Sequence, residues 1–181
     1  MERRTLFPAL AAGLAAPGAT FTNPFAQAFL NSFVAHWADT REYSLAVLDA
    51  MPADKFTSKA NPAQRTFGEQ MIHLASANTA YFRGFGLLPP PELKAPDASD
   101  KAAVRAFVVA GFDFTNAVLA KMTEKDVLRN DIRFNPRLPA HSAVDIFLRA
   151  YMHTAHHRGQ IITYLRVNEI KPPVWKFEPH A

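Results

Sequence analysis

The chain has 181 residues, 49% of them hydrophobic, so it can bury one sizeable core but is too short for two domains of ordinary size. Its formal charge of +4 comes from 20 basic and 16 acidic residues spread along the chain without a basic run of five, which argues against a nucleic-acid footprint. There is no cysteine, which excludes disulfides, thiolate zinc sites and thiol nucleophiles; any metal must be held by histidine, carboxylate or water.

Residues 1–23 read either as a tail or as an export signal. Arg3 and Arg4 precede an apolar stretch from Leu6 to Ala16, as in twin-arginine signals, and Ala16-Pro17-Gly18 offers small residues for cleavage. The protein is thus expected to be cytoplasmic or exported by that route. The stretch is too short, and too broken by Pro8, Pro17 and Pro24, to span a bilayer. Residues 24–181 are expected to form a single domain.

Four segments of that domain carry helical periodicity and none alternates as a strand does. In the first, Leu30, Phe33, Trp37, Arg41, Leu45 and Leu48 recur at spacings of three and four between Pro24 and Pro52. Residues 52–65 read as a connection. Thr66 with Glu69 then forms a capping box that opens a second helix, whose inner face includes Gln70, His73, Leu74, Ala77 and Tyr81; Gly84, Gly86 and Pro89-Pro90-Pro91 stop it. A third helix is expected from Ser99 as N-cap to about Met122, with Gly111 in its interior implying close approach of a neighbour. After the break at Asn135-Pro136-Arg137-Leu138-Pro139, Ser142 with Asp145 reads as a second capping box. The fourth helix would run to about Asn168, ahead of Pro172-Pro173. Four such helices imply an all-α fold, a four-helix bundle.

The fourth helix carries the chemistry. On an α-helix, His153 and His157 lie about 40° apart and project from one face. Their stripe is otherwise apolar, with Ile146, Ala150, Ile161 and Leu165, so both rings turn toward the interior, where neutral imidazoles need a partner. Pairing of His153 with His156 is a rival that spacing does not exclude. Two imidazoles bind a divalent ion weakly, and His73, on a face shared with Gln70, Ala77 and Ala80, is the best third ligand; a hydrogen-bonded core histidine is the plainer reading of it taken alone. His36 reads as a boundary residue, His141 as flanking the fourth helix, and His180 has no evident role.

Two segments, Phe67-Gly68-Glu69-Gln70-Met71-Ile72-His73-Leu74-Ala75 and His153-Thr154-Ala155-His156-His157-Arg158-Gly159-Gln160, resemble those of the DinB-like superfamily of DinB/YfiT-like metalloenzymes, a damage-inducible family by name. The resemblance spans roughly residues 25–175. It implies a four-helix bundle with His73, His153 and His157 as ligands of a divalent ion, zinc or nickel foremost, which sets His156 aside. It also implies metal-assisted chemistry on a small-molecule substrate, either S-transfer with a low-molecular-weight thiol or hydrolysis. The alternative is a non-catalytic, stress-associated metal-binding bundle, and either reading leaves room for a homodimer.

Among supporting groups, Glu69 is a weak candidate for a catalytic base or for orienting His73, since the cap already accounts for it. Gln160 is expected beside the ligands, Arg158 at the surface or on an anion, and Trp37 and Tyr81 in core packing or lining a pocket.

Overall fold

The computed structural model describes residues 22–175, and within them the regular structure is helical, apart from one isolated antiparallel bridge between Ile132 and His141. The reading of residues 1–21 as a tail or signal, and His180, lie outside the described residues.

Helix α1, Pro24–Ala50, starts where Asn23 accepts hydrogen bonds from the backbone amides of Phe25 and Ala26, with Pro24 in the first turn, where its missing N–H costs nothing. Its apolar stripe is buried as the periodicity predicts. Arg41 departs from it and reaches to Asp113 at 3.0 Å. Helix α2, Phe67–Arg83, opens on the predicted box: Thr66 Oγ1 accepts from the Glu69 amide and the Glu69 carboxylate accepts from the Thr66 amide.

Helix α3, Lys101–Lys121, is capped by Asp100 and not by Ser99, whose amide and hydroxyl both donate to Asp97. Both residue types cap well, so the sequence left a one-residue ambiguity. Gly111 meets the expected close neighbour, for a Cβ built there would stand 3.2 Å from Ala75 Cβ of α2. Among the described helices α3 alone is long and apolar enough to cross a membrane by composition, and packing against α1 and α2 accounts for that apolarity.

A one-turn helix, α4 (Glu124–Val127), follows with its own Thr123–Asp126 capping box and had no periodic signal to announce it. Helix α5, Ala143–Val167, is capped by Ser142, but the expected second half of that box is absent. The Asp145 carboxylate instead binds His141 Nδ1 and Arg149 Nε, each at 2.7 Å, because two cationic or ring donors lie within its reach.

The four long helices pack in a ring in which α1 and α2 each contact both α3 and α5. At its centre Phe33 and Trp37 of α1, Phe82 of α2, Phe112 of α3 and Phe147 of α5 form one aromatic cluster with centroid separations of 4.6–6.1 Å. Trp37 is therefore a core residue. The loop before α3 crosses the start of α2 so closely that a Cβ on Gly68 would lie 1.9 Å from the Ala98 carbonyl oxygen. Gly68→Ala is expected to lower stability by about 1–3 kcal/mol through this overpacking, read as a shift in the denaturant midpoint at unchanged slope.

Candidate metal centre

Helices α2 and α5 run antiparallel, since ascending positions on one meet descending positions on the other. The Tyr164 hydroxyl donates to the Arg65 carbonyl, Gln70 Nε2 donates to Gln160 Oε1 at 3.4 Å, His73 meets His157, Thr154 Oγ1 donates to Asn78 Oδ1 at 3.1 Å, and Tyr81 meets His153. The Asn78–Thr154 pair is fully buried, so it is costly to break and pins the helices at one register. That register faces His73 toward His153 and His157.

The three imidazoles stand together, with ring centroids 4.3–5.1 Å apart and one ligand atom from each within 4.8 Å of the others. His73 Nε2 and His157 Nε2 are 3.2 Å apart. Two nitrogens sharing a zinc-sized ion at a tetrahedral angle stand about 3.3 Å apart, so the pair is spaced for a common ion. The Nδ1 atoms of His153 and His157 are buried with no partner among the described residues, which leaves the rings short of polar contacts. Donor type, spacing and unmet polar atoms all fit a divalent cation.

The electrostatics favour the form that binds metal. Burial, then the His157 and His73 rings, hold His153 down to about 4; burial, then His73 and His156, bring His157 to about 4. Burial and Arg65 lower His73 as well. Neutral imidazoles near pH 7 present free lone pairs, and deprotonation has been met by folding before any ion arrives.

His156 is exposed, edge-on to His157 at 4.9 Å and hydrogen-bonded to Gln160 Nε2, outside the three-ring group. Gln160 thus joins Gln70 to His156 beside the centre. Glu69 is engaged with Thr66 at the helix start, and the Thr66 backbone amide holds its carboxyl below the usual range. His36 lies at the surface edge-on to Tyr151.

Arg158 corrects its expectation. It is 5% exposed, and its guanidinium stacks on Trp175 at 4.1 Å and Tyr43 at 5.1 Å, facing away from solvent; burial lowers its pKa to about 10, so it keeps its charge. Position 158 falls 100° from the histidine stripe, onto the α1 side, and the closing aromatic residue is remote in sequence. Arg149, one turn before His153, is a further neighbour of this stripe, at the same spacing of four that marks the histidine pair. Tyr81 is half-buried between His153 and Phe134, with centroids 5.9 and 4.8 Å away.

Residues 36–161 match the family model of the DinB superfamily. Two solved structures are similar in fold. A DinB-like protein from Bacillus cereus ATCC 10987 is 21% identical with a TM-score of 0.64, over 78% of this chain and 94% of that one. A DinB-like protein from Bacillus subtilis is 16% identical with a TM-score of 0.62, over 80% and 98% respectively. No curated protein matches the sequence significantly.

Two outcomes follow from the charges. The unfolded histidines protonate below about 6.5 and the folded pair only near 4, so between these values the unfolded state binds more protons and stability falls as pH falls. In chelated protein the melting temperature should decline from about pH 7 to about pH 4, and His153→Gln with His157→Gln should flatten that decline; equal slopes would assign it to other groups. Glu69→Gln should cost only about 1 kcal/mol or less in the cap and leave metal content unchanged, whereas loss of the ion in that variant would give Glu69 a role at the centre.

Proposed function

The chain belongs to the DinB superfamily, and on that footing we propose that it is a metal-dependent enzyme whose divalent ion is held by His73, His153 and His157. The observation that carries this reading is the convergence of three neutral, half-buried to buried imidazoles from two helices on one point. Three protein ligands leave a fourth position open, as reactive rather than structural sites do. An ion there supplies Lewis acidity, which acidifies a thiol or water and polarises a carbonyl.

The chain's own residues restrict the chemistry further. The ligand group gathered within the described residues is three histidines with no carboxylate among them, and His156, Gln160, Arg65 and Tyr81 stand against the rings. A reaction that relies on a carboxylate base is therefore poorly served. Thiol transfer fits better than hydrolysis, because a low-molecular-weight thiol can lose its proton to solvent on binding and needs no resident base. Zinc and nickel both suit an all-imidazole set.

Elemental analysis tests the proposal. The purified chain should carry about one ion, and His153→Ala with His157→Ala should carry none. Added Zn or Ni at a hundredfold excess over Kd should stabilise the wild type by about 2.7 kcal/mol and leave the double variant unmoved. Negligible metal and no thermal shift in the wild type would overturn it.

A further inference from the structure

The facing rows of α2 and α5 that hold the histidines continue past them. On α5, Asp145, Arg149, His153 and His157 recur every four residues, so Arg149 stands one turn, about 6 Å, beyond His153 on the same stripe. On the antiparallel α2, His73, Ala77 and Tyr81 form the matching row, and Tyr81 is the residue that meets His153 from the Arg149 end. Between His73 and Tyr81 that row of α2 carries only the small side chains of Ala77 and Ala80.

The two residues at this end are held but not used up. Arg149 Nε is bound to Asp145 Oδ2, which is itself held by His141 Nδ1, and this fixes the direction of the guanidinium while its terminal amino groups have no acceptor among the described residues. The Tyr81 ring is wedged between His153 and Phe134, and its hydroxyl has no hydrogen bond among the described residues. Tyr81 and Arg149 are close enough to act on each other's charge, and a planar fork beside a phenol is a donor pair that recognises a carboxylate.

We propose that Tyr81 and Arg149 form the recognition edge of the three-histidine centre, and that its substrate carries a carboxylate about one helical turn from the atom presented to the ion. The inference rests on the metal reading above and adds the class of substrate. Asp145 and His141 are positioning residues that aim Arg149. Ala77 is the small residue between His73 and Tyr81 on α2. Arg65, ahead of α2, acts on all three rings and is the competing cation.

The full chain, loaded with Co(II), is titrated with 4-mercaptobutanoate, whose sulfur and carboxylate stand about one helical turn apart when extended, and with 2-mercaptoethanol, following thiolate-to-cobalt absorption. The absence of cysteine removes interference from protein thiols and mixed disulfides. Arg149→Gln should weaken 4-mercaptobutanoate roughly tenfold and leave the 2-mercaptoethanol Kd unchanged. Tyr81→Phe, which keeps the ring stack, should weaken 4-mercaptobutanoate by a smaller factor. Unchanged 4-mercaptobutanoate affinity in Arg149→Gln, or a selective loss in Arg65→Gln instead, overturns the assignment while the metal reading stands. Failure of the wild type to take up cobalt overturns both.

Discussion

The register of α2 against α5 is the constraint on which the rest of the molecule depends. A helix pair joined only by apolar side chains can slide with modest loss, because one methylene surface resembles the next. The Asn78–Thr154 hydrogen bond removes that freedom, since a slip leaves two polar groups buried without partners. The Tyr164 hydroxyl on the Arg65 carbonyl and the Asn168 amide on Ser58 fix the far end of the same pair. Every contact among the three histidines follows from this alignment.

The molecule separates its packing from its chemistry. Aromatic side chains from all four long helices fill the middle of the ring, and the histidines sit to one side where α2 and α5 face each other. Depth is graded there: His157 is buried, while His73 and His153 are half-buried. That gradient leaves His73 and His153 reachable from solvent and still lowers the affinity of the rings for protons.

Much of this could be read from the chain, and the parts that could not share a reason. Long periodic helices announce themselves through repetition, and a spacing of four put His153 and His157 on one face. Its place on the inner face of α2 made His73 the best third ligand, and the family resemblance was needed to set His156 aside, because nothing local to α2 states which residues of α5 it will face. Helix α4 escaped notice because four residues hold barely one period. The half-formed Ser142 box and the buried Arg158 were misread for another cause. In each, a charged side chain had partners outside its own turn: His141 and Arg149 for Asp145, Tyr43 and Trp175 for Arg158. Capping patterns and hydropathy are local, and these choices were settled by tertiary neighbours.

The placement of the histidine group at the edge of the core bears on how such a protein can diverge. Neighbours of that group, among them Ala77, Tyr81 and Arg149, lie outside the central aromatic cluster. Replacing them alters the surroundings of the histidines and leaves the Phe33–Trp37–Phe82–Phe112–Phe147 packing in place. Selection for a new ligand can then proceed one residue at a time without eroding the few kcal/mol that keep the chain folded. The scaffold is thereby suited to a lineage in which substrates turn over faster than architecture.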